Sequence, residues 1–166
     1  MSDFEAELAR RLSRNEELAE ERAAAEEQMD RVVAEQAEAR ARAAREREQA
    51  QREQHSQLAS FLRERAEQLK QAAPDTFVLR MGWTESGEEF IVKLSTRTLS
   101  PSRSLFIELD RDDDEVLVRW HSDVGNSLEL WQLLEASTDL LGTLLLQFAD
   151  QETWRGAERP PAFPTG

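Results

Sequence analysis

Residues 68–81, QLKQAAPDTFVLRM, contain the point at which the sequence pattern changes from helical to extended. The 73 residues before Pro74 include neither glycine nor proline, and they are rich in alanine, glutamate, arginine, glutamine and leucine, which favour helices. After Pro74, apolar residues occur at every second position, which is the period of a β-strand. The sequence therefore predicts an α+β fold: a long N-terminal helix, a small antiparallel sheet of four strands and a C-terminal helix.

The predicted helix is longer than the remainder of the chain can cover. At about 1.5 Å per residue it would extend roughly 110 Å, whereas a globule of about 90 residues has a radius of gyration of roughly 12 Å. We therefore expect residues 1–54 to form a projecting helix that is partly coiled coil. Residues 55–154 are expected to form the small α+β domain, and the proline-containing residues 155–166 a disordered tail.

A heptad pattern along the projecting helix predicts self-association. Nine of the sixteen a and d positions are apolar, but four of those nine are alanine, so we expect weak pairing. The residues expected to mediate oligomerisation, as a homodimer or a higher oligomer, are Leu8, Asn15, Leu18, Met29 and Val32, with Asn15 fixing the register. The alternative is an unpaired, solvated helix stabilised by Glu–Arg pairs one turn apart, at Glu7/Arg11, Glu27/Arg31, Glu38/Arg42 and Glu48/Arg52.

The apolar stripe of the helix changes face near His55, which we expect to be exposed to solvent. A one-residue offset rotates the stripe by about 100°, so the last part of the helix is expected to pack on its own domain. The apolar residues of this second stripe are Leu58, Phe61, Leu62, Ala66, Leu69 and Ala73.

Alternating apolar residues predict the four strands and the side of each that faces the core. The inward-facing groups are Phe77, Leu79 and Met81; Phe90, Val92 and Leu94; Leu105, Ile107 and Leu109; and Val116, Val118 and Trp120. Turn residues at 85–87 and 110–114 favour an antiparallel meander. Asn126 or Ser127 is then expected to cap a helix that is apolar on nearly all sides and needs a second covering surface. We expect both the first helix and a second copy to contribute to that surface, because Trp131 or Leu146 is hard to bury within one chain.

The opposite side of the sheet is the candidate partner-binding surface. Each strand there offers an apolar residue and, two positions later, a charged one; the pairs are Val78 and Arg80, Ile91 and Lys93, Phe106 and Glu108, and Leu117 and Arg119. We interpret these as an apolar row beside a row with three cations. The alternative is that a docked helix covers the apolar row while Glu108 pairs with neighbouring cations.

Charge and composition restrict the class of partner. The net charge is −13, and residues 74–166 carry 17 acidic against 8 basic side chains, which disfavours binding to nucleic acid or to an anionic membrane. A protein partner of basic character fits better. The absence of cysteine excludes disulfides, thiolate catalysis and cysteine-ligated zinc. With neither a leader pattern nor a long apolar run, we expect a cytoplasmic location.

No catalytic or metal-binding pattern stands out. Asp110–Asp114 resembles the start of a calcium loop, but Glu115 and His121 stand where that loop needs glycine and glutamate. His121 and Ser122 are adjacent on a predicted strand and would point to opposite faces. The glycines do not have the spacing of a nucleotide-binding loop. We expect no enzymatic activity, no catalytic residue, no metal and no cofactor.

These features favour a non-enzymatic protein–protein interaction protein. It would be a self-associating adaptor or chaperone-like binder, with a coiled-coil arm and a small α+β head. The alternative is an acidic inhibitor of the antitoxin or immunity type, which would occupy a basic site on its target.

Overall fold

The computed structural model describes residues 2–165 and shows an α+β fold. The elements are α1 (Asp3–Ala72), β1 (Phe77–Trp83), β2 (Glu89–Thr96), β3 (Arg103–Asp110), β4 (Glu115–Ser122), β5 (Gly125–Gln132), α2 (Thr138–Ala149) and α3 (Gln151–Trp154). The long N-terminal helix, the antiparallel sheet and the C-terminal helix are confirmed, but the sheet has five strands rather than four. Met1 and Gly166, the ends of the predicted arm and tail, lie outside the described residues.

The chain divides into two compact units between Arg47 and Glu48, whereas the sequence placed a boundary at residues 54–55. The first unit consists of the N-terminal part of α1, and its side chains are exposed. All four predicted Glu–Arg pairs of α1 are present: Glu7–Arg11 at 3.2 Å, Glu27–Arg31 at 3.5 Å, Glu38–Arg42 at 4.0 Å and Glu48–Arg52 at 2.7 Å. Each exposed pair contributes only about 0.2–0.5 kcal/mol to helix stability.

The second unit contains the sheet, an antiparallel meander in the order β1-β2-β3-β4-β5. The predicted turn residues connect the strands as expected: Gly87 has a φ of 74°, and its N–H donates to the Thr84 carbonyl at 2.9 Å. Asp114, in the turn between β3 and β4, also adopts a positive φ, of 54°. Short connections of this kind fix both the strand order and the register.

The predicted start of the C-terminal helix at Asn126 or Ser127 is wrong. These residues belong to β5, which pairs with β4 so that Leu128 and Leu130 lie opposite Arg119 and Leu117. The helix α2 begins at Thr138 instead, and the Ser137 side chain caps it by accepting from the Leu140 N–H at 3.1 Å. The run of leucines favours one long helix, but Leu128 and Leu130 alternate with Glu129 and Trp131 at the period of a strand.

The end of α1, α2 and α3 all pack on the same face of the sheet. The predicted inward-facing side chains of the first four strands form the core together with Leu58, Leu62 and Ala66 of α1 and Leu141, Leu144, Leu145 and Phe148 of α2. The end of α1 from the same chain therefore supplies part of the second surface that α2 needs, and the contribution of a second copy stays a prediction. The alternative in which a docked helix covers the opposite sheet face is wrong, because the helices lie on the core side.

His55 is buried rather than exposed, with 3% of its surface accessible. Its Nε2 lies 2.9 Å from the carbonyl oxygen of Leu109, and its ring centroid is 5.4 Å from that of Trp83. The sequence interpretation failed here because a polar residue at the edge of an apolar stripe can be buried when a backbone carbonyl satisfies it.

The segment after α3 packs on the core, which differs from the disorder predicted for residues 155–166. The Phe163 ring stacks on Trp120 with a centroid separation of 5.9 Å and an interplanar angle of 4°. Trp154 of α3 also contacts Trp120: its ring packs edge-on against the Trp120 ring, with a centroid separation of 5.2 Å. Gln147 also donates from its side chain to the Ala162 carbonyl at 3.3 Å, so two contacts hold this segment.

Candidate functional site

The sheet face opposite the helices, here called the open face, is organised into rows by the strand register. The basic row contains Arg80, Lys93, Phe106, Arg119 and Leu128, which are successive partners across the five strands. The central row, two positions further along the strands, contains Gly82, Ile91, Glu108, Leu117 and Leu130. The acidic row follows, with Glu89, Asp110, Glu115 and Gln132. On the other side of the basic row lies a polar row with Val78, Ser95, Ser104, His121 and Asn126.

The predicted separation into an apolar row and a cationic row is wrong. Neighbouring strands run in opposite directions, so the position two residues later lies alternately on one side and on the other. The four apolar candidates are consequently spread over three rows: Val78 in the polar row, Phe106 in the basic row, and Ile91 and Leu117 in the central row. All three predicted cations do lie together, in the basic row.

The cations of the basic row are available to a partner. The Arg119 guanidinium lies over the Phe106 ring, 4.8 Å from its centroid, an arrangement worth about 0.5–1 kcal/mol at an exposed site. Arg80, Lys93 and Arg119 are exposed, and within residues 2–165 none of them has a carboxylate within 4.0 Å. Lys93 and Arg119 border a shallow depression of about 410 Å³, whose other lining residues are Ser104, Phe106, His121 and Asn126.

Carboxylates crowd the opposite end of the open face. Glu89, Glu108 and Asp110 each place one oxygen within 4.8 Å of the others. Partial burial raises the pKa of Glu108, and the negative charges of Glu89, Asp110 and Glu115 raise that pKa further. Three carboxylate oxygens suit a hard cation chemically, but calcium takes six to eight oxygen ligands, so this cluster is at most part of a metal shell. Its main effect is a concentrated negative charge.

The open face also exposes apolar surface that the sequence interpretation did not assign to it. Leu128 and Leu130 extend the basic and central rows onto β5 and are 54% and 51% exposed. Their alternation with Glu129 and Trp131 was the available signal for a fifth strand. Glu89, Asp110 and Glu115 were missed because their rows depend on strand register, which composition alone does not give.

A second apolar surface lies between α1 and α2. Phe61 and Leu69 of α1 and Leu145, Leu146 and Ala149 of α2 line a groove of about 430 Å³, and Leu146 is 71% exposed. The expectation that Leu146 would be hard to bury within one chain is confirmed.

The residues predicted to mediate oligomerisation lie on the first unit of α1. Leu8, Leu18, Met29 and Val32 are between 40% and 66% exposed, and Asn15 is exposed as well. Pairing through them stays a prediction.

His121 is exposed, whereas the Ser122 hydroxyl makes backbone hydrogen bonds in the turn that follows β4. His121 belongs to the polar row of the open face. The Ser122 hydroxyl donates to the Gly125 carbonyl at 2.7 Å and accepts from the Val124 N–H at 3.3 Å. These bonds shape the connection between β4 and β5.

Comparisons of the chain with protein family models, with curated proteins and with solved structures find no match. Among the described residues, no helix is both long enough and apolar enough to cross a membrane.

Proposed function

We propose that this chain is a non-enzymatic protein–protein interaction protein, a self-associating adaptor or chaperone-like binder that binds through the open face of its sheet. The observation that carries the proposal is that all the helical segments of the second unit pack on one side of the sheet and leave the other side uncovered. A solvated sheet face normally carries polar side chains. Here, exposed leucines and partly exposed Ile91, Phe106 and Leu117 lie among unpaired charges.

This composition resembles that of a binding surface. Contiguous exposed apolar groups bordered by polar ones are typical of protein interfaces, and aromatic and arginine side chains such as Phe106 and Arg119 contribute strongly to binding. The cations stand out further because the chain has a net charge of −13. They would attract complementary charge on a partner and orient it.

The heptad residues of α1 support the self-associating part of the proposal. An exposed Leu18 or Val32 gains stability when it packs into the holes of a second helix, and Asn15 at an a position would select one register. The alanines of the seam reduce the buried area per heptad, so a weak association is expected.

An acidic inhibitor of the antitoxin or immunity type is the second candidate. The acidic row and the adjacent turn at 110–114 offer a dense negative surface that could fill a basic site on a target protein. A monomeric chain whose binding is lost when the acidic row is neutralised would favour this candidate over the adaptor.

The adaptor proposal is tested by replacing apolar residues of the open face in the full chain. The double variant Leu128→Ser and Leu130→Ser removes exposed apolar surface without touching the core, and Leu12→Ser is the matched control, at an exposed leucine of α1 outside the predicted seam. We expect the double variant to weaken self-association, or the capture of a specific partner, at least tenfold, while the control leaves both unchanged. Unchanged binding in the double variant would overturn the role of the open face.

The contribution of the arm is measured separately by sedimentation equilibrium. Leu18→Ser combined with Val32→Ser should weaken association, whereas Val33→Ser, an exposed neighbour outside the predicted seam, should not. A wild-type chain that stays monomeric at concentrations of about 100 μM, which corresponds to a binding free energy weaker than about −5.5 kcal/mol, would argue against self-association.

A further inference from the structure

The open face carries opposite charges at its two ends that do not pair with each other. Arg80, Lys93 and Arg119 are in the basic row, whereas Glu89, Asp110 and Glu115 are in the acidic row, and Glu108 lies between them in the central row. The basic and acidic rows are four positions apart along each strand, about 13 Å at a rise of about 3.3 Å per residue. That spacing is too long for direct ion pairs within one chain. The cations of the basic row therefore repel one another, and so do the carboxylates of the acidic row.

A two-fold arrangement removes this repulsion. If two open faces meet about an axis that runs along the central row, strand order is kept while the two ends of each strand are exchanged. Lys93 then faces Glu89 of the other copy, because both belong to β2 and lie on either side of the central row. Arg119 and Glu115 of β4 are related in the same way, so symmetry gives four opposite-charge contacts.

We propose that a second copy of this chain binds the open face, sheet to sheet, about a two-fold axis along the central row. The inference rests on the proposed function, which makes the open face a binding surface. It names the occupant of that surface and the residues that select it.

Apolar contacts would form along the axis itself. Each residue of the central row faces its own counterpart, so Ile91, Leu117 and Leu130 would meet the same residues of the second copy. Packed sheets lie about 10 Å apart, a distance that two branched aliphatic side chains fill. Glu108 is the charged member of this row, and its counterpart would oppose the contact, whereas the nearby cations of the second copy would favour it.

The available area is sufficient. Five strands at about 4.8 Å and eight residues at about 3.3 Å give a face of roughly 600 Å². Two such faces bury roughly 1,200 Å², which is at the lower end of the range for specific complexes. The formal charges named on each face are three positive and four negative, so the strong net charge of the chain is not concentrated in this interface.

Thiol cross-linking tests the proposed geometry in the full chain, since the sequence contains no cysteine. Sheets about 10 Å apart are too distant for a disulfide, so a bis-maleimide with a short spacer is used. A Leu117→Cys variant places one thiol at the axis, where it would face its own copy, and Thr165→Cys, at an exposed position of the C-terminal segment, is the control. With the bis-maleimide at low salt, we expect Leu117→Cys to form covalent dimers at least tenfold faster than the control. Equal rates would overturn the proposal.

Charge reversal tests which residues select the partner. In the Leu117→Cys background, Lys93→Glu with Arg119→Glu makes both ends acidic, and Glu89→Lys with Glu115→Lys makes both ends basic. Each variant alone should lose at least tenfold in trapping rate, whereas an equimolar mixture should recover heterodimers, identified by a mass tag on one chain. Misfolded variants cannot produce that recovery. Its absence in two variants with wild-type circular dichroism would overturn the proposal.

The trapping result separates this inference from the proposed function. If the open-face leucine variants lose a foreign partner while trapping stays at the control rate, the open face binds another protein, and only the second-copy inference fails. If neither self-association nor partner capture responds, both fail.

Discussion

Phe163→Ala tests whether the C-terminal segment packs on the core, where the structure differs from the predicted disorder. The ring of Phe163 is partly buried and stacks on Trp120, which is fully buried. Truncating a fully buried phenylalanine costs about 3–5 kcal/mol, and an aromatic pair contributes about 0.5–1.5 kcal/mol beyond its buried area. For a half-buried ring we therefore expect the free energy of unfolding to fall by about 2 kcal/mol.

Urea unfolding, followed by far-ultraviolet circular dichroism and by tryptophan fluorescence, measures this loss. With a denaturant slope of about 2 kcal/mol/M for a domain of this size, the midpoint should fall by about 1 M. The native emission should also shift to the red, because water would reach the exposed face of Trp120. Thr165→Ala, an exposed change in the same segment, should leave both quantities unchanged. A midpoint for Phe163→Ala within 0.2 M of wild type would refute the packing and favour a disordered tail.

Two further changes test the helix packing and the charge cluster. Gly142→Ala should raise the free energy of unfolding by about 0.5–1 kcal/mol, because alanine favours a helix interior and its methyl group would contact Phe61 Cζ at 3.4 Å. A lower midpoint in urea would show that Phe61 cannot adjust to the added methyl group. Glu108→Gln removes a carboxyl group whose pKa in the folded chain is raised above its ordinary 4.5. The stability linked to the proton of Glu108 is therefore complete below pH 4.5 and is lost as the pH rises through the folded pKa. The variant should therefore be more stable than wild type at pH 7, by less than about 1 kcal/mol because solvent screens the charges, and equal curves from pH 4 to 8 would contradict this.

Local patterns predicted most of the fold because they reflect local physical constraints. The absence of glycine and proline before Pro74 predicted α1, and period-two alternation predicted the inward side chains of the first four strands. The fifth strand was missed because Leu128 and Leu130 precede a genuine leucine-rich helix without a proline or glycine between them. Propensity could not separate the two, and pairing with β4 decided the outcome.

The site was less predictable because it depends on long-range register. The sequence identified Arg80, Lys93 and Arg119 as neighbours on one face, which the structure confirms. It left out Glu89 and Glu115, although each lies two positions before a residue predicted on that face. That both meet Asp110 in one row follows from antiparallel pairing rather than from spacing along the chain. Burial of His55 could not be predicted from its neighbours in the sequence either, because the carbonyl that satisfies it belongs to Leu109, 54 residues away.

The sequential strand order of the sheet has a consequence for how the domain folds. Every strand pairs with its neighbour along the chain, so the sheet can grow hairpin by hairpin with little loop-closure entropy at each step. During synthesis, Leu58, Leu62 and Ala66 emerge before the strands that bury them. The apolar stripe of the helix is therefore exposed until β1 to β4 have been synthesised. Charged residues lie between its leucines, and they disfavour aggregation of the nascent chain in that interval.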